Sequence, residues 1–209
     1  MAVEQKHIEL ALKDDVWCLG NEVLYNLCRQ YPDHKTPEVV VAKLWLIGRS
    51  YPVAVERRKN KSRDDQSEND AFYERQVAPE LIKSKVDDHL ARLKEFRQID
   101  AKSIPVILET HKYLVDLFRK LTDQDKRSLA SKYLHFHRPN LFYLYDTRAA
   151  RGFRKLKPGC RVKQTLKGKF DEEYKTFALK LLDLHEEIKR DYDHDLTPRQ
   201  IDRMLLKVA

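Results

Sequence analysis

Apolar residues recur at three- and four-residue spacing along nearly the whole chain, and this restricts it to helices packed on helices. Val16, Leu19, Val23 and Leu27 share one helical face; Val39, Val40, Leu44, Ile47 and Tyr51 carry the next and most apolar helix. The pattern resumes with Phe72, Val77, Leu81, Val86, Leu90 and Phe96, then with Val106, Leu108, Leu114, Leu117 and Leu121. Tyr174, Phe177, Leu181, Leu184 and Ile188 mark a long amphipathic helix, and Met204, Leu205 and Val208 a last one. Five glycines in 209 residues are too few for the turns of an all-β sandwich or for a Gly-rich phosphate loop. The strand-like stretch, residues 141–145, is too short to found a sheet. The expectation is a single all-α domain over residues 1–209.

Punctuation supports it. Thr36-Pro37-Glu38 is a helix start, with a hydroxyl N-cap and Pro in the first turn. Gly48 and Pro52 interrupt the helix that follows, because Pro removes a backbone donor. Residues 57–70 contain no apolar side chain and read as a solvated loop. Thr122, with Asp125 three residues on, is an acidic near-match to a capping box opening the helix of Leu129–Phe136, which Pro139 stops. Asp146 starts a short helix, and Thr197-Pro198 caps the last.

Charge points to the partner. The chain holds 41 basic and 33 acidic residues, net +8. Residues 147–169 carry Arg148, Arg151, Arg154, Lys155, Lys157, Arg161, Lys163, Lys167 and Lys169 and no acid. Arg148, Arg151 and Lys155 recur at helical spacing, so one face can track phosphates. The bland alternative is a solvated basic face. Cys18 and Cys28 sit among apolar neighbours and read as small buried hydrophobes. His135 and His137 alternate around Phe136, share no helix face and lack further ligands at metal spacing, so one packed and one exposed histidine is expected. Phe142, Tyr143 and Tyr145 either stack on bases or fill the core. No signal-peptide pattern opens the chain and no apolar run reaches the ~18 residues of a membrane span, so a cytoplasmic protein without a membrane partner is expected. No cofactor is implied.

The stretch from Leu121 to Leu156, LTDQDKRSLASKYLHFHRPNLFYLYDTRAARGFRKL, resembles the core of the helix-hairpin-helix DNA glycosylases, the endonuclease III and 8-oxoguanine glycosylase superfamily. In that likeness Leu129–Phe136 is the second hairpin helix, Pro139 the turn and Asp146-Thr147 the family's Asp-Thr, with a basic helix behind it. Residues 39–58 look like the superfamily's central helix, whose end lies beside the base pocket; Gly48-Arg49-Ser50-Tyr51 occupies that place. The likeness covers about half the chain, residues 36–157, with C-terminal helices over 170–208 beyond it. The hairpin turn, Thr122-Asp123-Gln124-Asp125, has two acids where the family has Gly-x-Gly, and no four-Cys cluster pattern follows. The resemblance implies a divergent relative in DNA repair.

It also implies candidate residues. Asp146 would stabilise the sugar cation as a base leaves, or else is simply a helix cap. The bifunctional enzymes use a hairpin lysine as nucleophile; Arg127 and Ser128 fall nearest that position, with Lys126 one step before it and Lys132 a helical turn later. Arg49, Ser50 and Tyr51 would line the pocket. Arg49 alternatively forms a structural ion pair, since an unpaired charge inside an apolar helix is costly. Arg148, Arg151, Arg154, Lys155, Lys157 and Arg161 would hold nucleic acid, most simply DNA. Three functions fit: a glycosylase-like hydrolase, a non-catalytic nucleic-acid-binding module, and a helical protein-interaction scaffold.

Overall fold

The computed structural model describes residues 3–57, 69–157, 162 and 166–209, and among them the chain is helical without a strand. Helices α1 (Gln5–Leu12), α2 (Cys18–Gln30) and α3 (Pro37–Ser50) come first. Helix α4 (Asn69–Phe72) runs through a π-helical turn, Tyr73–Val77, into α5 (Ala78–Ile82), and α6 (Val86–Arg92) follows. The second half holds α7 (Ile104–Thr122), α8 (Arg127–His137), α9 (Thr147–Leu156), α10 (Glu172–Tyr192) and α11 (Pro198–Val208). Buried side chains from α1 to α11 form one contiguous apolar core. Most of the polar loop expected over 57–70 lies outside the described residues.

The caps at α9 and α11 are those the sequence announces, whereas the Thr36 hydroxyl makes no cap hydrogen bond to α3. Thr36 precedes α3 with Pro37 in its first turn. Thr197 and Gln200 make a reciprocal capping box at α11. Asp146 caps α9 by accepting the Ala149 N–H at 2.8 Å. Residues 141–145 form no strand and are buried, so Phe142, Tyr143 and Tyr145 belong to the core.

Four expectations are corrected. The aliphatic face of α2 points outward: Val16 is 89% exposed, Leu19 79% and Val23 55%. The helix turns Asn21, Leu24, Tyr25 and Cys28 inward instead. Asn21 accepts the Tyr51 hydroxyl at 2.5 Å and Tyr25 bonds His135 Nε2 at 2.6 Å, anchors the aliphatic face lacks. Cys28 is buried, but Cys18 only partly so. Thr122 closes α7 rather than opening α8: its hydroxyl bonds the Phe118 carbonyl at 2.8 Å, and Asp123 follows in the left-handed region at φ 56°. Asp125 spends its charge on Arg119 and Arg127 instead of on a helix N-terminus. His137 is not an exposed partner to the fully buried His135; it packs with ring centroids 5.2 Å from His34 and 5.0 Å from Tyr133.

Two buried features fix the frame. Lys43 of α3 is fully buried, its ammonium bonded to the Asp33 carbonyl at 3.0 Å, and burial lowers its pKa to about 8. Helices α9 and α11 touch backbone to backbone at Gly152: a Cβ there would stand 2.1 Å from the Leu205 carbonyl oxygen. Only glycine allows that approach. It lays α11 against the first turns of α9.

Candidate functional site

Segments far apart in sequence enclose a cavity of about 850 Å³, within the usual range for small-molecule sites. The turn into α2 contributes Asp15 and Trp17, the end of α3 Ser50 and Tyr51, α8 Lys132, the head of α9 Asp146 and Arg148, and α11 Arg199, Asp202 and Arg203. Asp146 and Lys132 therefore line one cavity together with Ser50 and Tyr51.

Lys132 is 3% exposed. It donates to Ser128 Oγ at 2.9 Å, to the Tyr145 carbonyl at 2.9 Å and to Asp146 Oδ2 at 3.2 Å. Its three ammonium protons are thus all engaged. Burial pushes its pKa below the ordinary lysine value, and the Asp146 charge opposes that. Burial would raise the Asp146 pKa, but Lys132 and the Ala149 N–H together hold it below the ordinary carboxylate value. Asp146 is therefore an ionised group, part cap and part cavity wall, with its side chain 28% exposed.

Asp202 stands opposite in character. It is 5% exposed, and burial lifts its carboxyl to about 6 against the pull of Arg199 and Lys132. Arg199 Nη1 lies 3.5 Å from Asp202 Oδ2, while Asp202 Oδ1 and Arg199 Nη2 are buried without a hydrogen-bond partner. The Arg199 guanidinium covers the rings of Tyr51 and Phe136 at 5.5 Å each. Its Nε donates to the Tyr25 hydroxyl at 3.2 Å, which in turn donates to His135 Nε2; His135 Nδ1 donates to the Phe142 carbonyl at 2.9 Å. Burial holds His135 well below the ordinary histidine pKa, which keeps the ring neutral and fits this chain of donors. Arg199 is thereby fixed in place from beneath.

The remaining sequence candidates lie elsewhere. Arg49 turns from the cavity to an ion pair with buried Glu56 at 2.8 Å, where the Tyr73 hydroxyl also donates at 2.6 Å. Lys126 sits at the start of α8 and donates to the Arg57 carbonyl, away from Asp146. Arg148, Arg151 and Arg154 are exposed on α9 and pair with no described carboxylate. Lys155 bonds the carbonyls of Val208 and Ala209 at 3.1 and 2.6 Å, and Lys157 pairs with Glu187. Arg161 lies outside the described residues. Among the described residues, no group of three His, Cys, Asp or Glu side chains is arranged to hold a metal ion, and no helix is long and apolar enough to cross a membrane.

Sequence reading missed Arg199, Asp202 and Arg203. Their spacing held a signal: three charged residues at i, i+3 and i+4 share the side of α11 with Leu206, where an amphipathic helix would place apolar groups. No family model, curated protein or solved structure matches this chain.

Proposed function

We propose that the protein binds nucleic acid along the exposed basic side of α9 and receives a single base in the adjoining cavity, as a divergent relative of the helix-hairpin-helix DNA glycosylases. The observation that carries this reading is the position of Asp146. It is at once the N-cap of the basic helix and an ionised wall of the cavity. A strand held by Arg148 and Arg151 would have its sugar at the cavity mouth. The carboxylate there stabilises the positive charge that develops on a sugar as its base departs. Lys132 keeps Asp146 ionised and, with every ammonium proton engaged, acts as its positioning residue rather than as a nucleophile. The reaction is then monofunctional, and borohydride traps no adduct.

The test uses duplexes and single strands carrying oxidised, alkylated and deaminated bases. The parent protein releases at least one base, and its DNA affinity falls steeply with salt as phosphate contacts release counterions. Arg148→Glu with Arg151→Glu abolishes binding, and Asp146→Asn abolishes release while binding persists. Binding without release from any duplex leaves a non-catalytic module; binding unaffected by the charge reversals refutes the role of α9. The exposed stripe of Val16, Trp17, Leu19 and Val23 favours a second reading, a protein-interaction scaffold, which predicts self-association or a protein ligand in place of salt-sensitive DNA binding.

A further inference from the structure

From the exposed face of α2 we infer that the chain forms a twofold dimer in which two α2 helices pack antiparallel across Gly20. The inference rests on the second reading of this stripe only in taking it for an interface; it names the occupant, and it holds whether or not α9 binds DNA.

Val16, Leu19, Val23 and Leu27 recur at three- and four-residue spacing on one side of α2 and the turn before it, and the first three stand in water. With Trp17 beside them they expose roughly 400 Å² of apolar side chain. Patches of that size are among the largest a monomer ordinarily carries and are often functional. A standard interface buries about 800 Å² per partner, a little over half of it apolar. The patch thus supplies the apolar share of one such interface. Gly20 lies between Val16 and Val23 on the same side, and among the described residues nothing lies within 4 Å of where its Cβ would stand. The stripe is therefore hollow at its middle, with Leu19 projecting next to the hollow. A second α2, turned end for end, sets its own Leu19 against Gly20 and receives the first Leu19 in return. Knob and hollow on one face make the surface complementary to itself, the condition for a twofold contact.

Charge sets the direction. The start of the stripe is net acidic, with Asp14, Asp15 and Glu22 against Lys13, and its end carries Arg29. Asp14 and Arg29 are both largely exposed. Antiparallel packing brings the acidic start of one helix toward the basic end of the other and opposes their dipoles. Parallel packing would set like charges side by side. Trp17, Gly20 and Asn21 also line the cavity, so the second copy stands at its rim.

Sedimentation equilibrium of the full chain without DNA tests this. The expected species has twice the 24.9 kDa of one chain. Leu19→Glu with Val23→Glu changes two exposed positions and sets carboxylates against each other across the axis, so self-association weakens about hundredfold or more while the circular dichroism stays that of the parent. Gly20→Cys lies near the axis and forms a disulfide with its own counterpart under oxidised glutathione. Gln30→Cys, at the far end of α2 and about 30 Å from its counterpart, does not. If the double variant loses its helical signal, the parent's mass and the two cysteine variants decide. A monomer at every concentration, a dimer that survives the two folded charge substitutions, or crosslinking at Gln30→Cys but not at Gly20→Cys overturns the inference. A monomer whose DNA binding is lost in the double variant assigns the face to nucleic acid and overturns it too. A dimer that binds no DNA upholds the inference while the reading of α9 fails, and salt-sensitive DNA binding by a strict monomer does the reverse.

Discussion

Replacing Asp146 with Asn tests whether the carboxylate is merely a cap. Asn caps a helix about as well as Asp, so a residue that only accepts the Ala149 N–H loses almost nothing. The ion pair to Lys132 predicts otherwise. Lys132 is buried, with neutral oxygens at 2.9 Å on two sides and its one directly bonded counter-charge at 3.2 Å. Breaking a buried pair typically costs about 3–5 kcal/mol. The partly open Asp146 and an amide oxygen still within reach of the ammonium reduce that to about 2 kcal/mol, the scale of one charged hydrogen bond. In a chain of this size that lowers Tm by about 4–8 °C. The deficit depends on pH with a definite sign. The folded pKa of Asp146 lies below its ordinary 3.8, so the pair's contribution is complete above that value and disappears as pH falls through the folded one. Urea denaturation of the parent, Asp146→Asn, Lys132→Met and the double variant at pH 7 measures the coupling directly. A Tm unchanged within about 1 °C and a coupling energy under about 0.3 kcal/mol would refute the reasoning and reduce Asp146 to a cap.

Further outcomes follow from other sites. Gly152→Ala gains helix propensity but forces α9 and α11 apart at the Leu205 carbonyl; chemical denaturation is expected to show a net loss of about 2 kcal/mol or more. Lys43→Met is expected to stabilise the protein by about 2 kcal/mol at pH 7, since the buried ammonium's lowered pKa marks a penalty. That penalty lifts between about pH 8 and 10.5, where the unfolded chain binds more protons than the folded one, so the parent gains stability with rising pH there and the variant does not. Asp202→Asn is expected to stabilise by about 2 kcal/mol above pH 6 and to be neutral below pH 4, because the carboxyl's folded pKa of about 6 exceeds its ordinary value and stability declines as pH rises between the two; thermal melts across that range report it.

The helices were legible because core packing imposes a 3.6-residue period, and Asp146, Lys132, Ser50 and Tyr51 were legible because they sit at helix ends or on motifs with a chemical rationale. What escaped is non-local. Periodicity says that α2 has an apolar face but not that polar anchors on Asn21 and Tyr25 win the inward side. Thr122 and Asp125 have capping chemistry, yet a hydroxyl bond to Phe118 and ion pairs to Arg119 and Arg127 redirect it. Arg49 had two open fates until Glu56 was seen beside it. Asp202 and Arg199 acquire meaning only when α11 is laid across α9, a contact a lone Gly152 in a basic helix does not advertise.

That crossing also governs how the site comes into being. Asp15 and Trp17 meet Asp146, Arg199 and Asp202 across most of the chain's length, so no local segment holds even a rudimentary form of the cavity. Closing such distant contacts is the slow, entropically costly part of folding. Arg203 adds to the demand, reaching the carbonyls of Ala11 and Lys13 at 3.1 and 2.8 Å and knotting α11 to the first helix. Binding in the cavity is then an all-or-none readout of the assembled molecule: a ligand there stabilises the global fold by mass action, and its affinity vanishes in the same transition that melts the core.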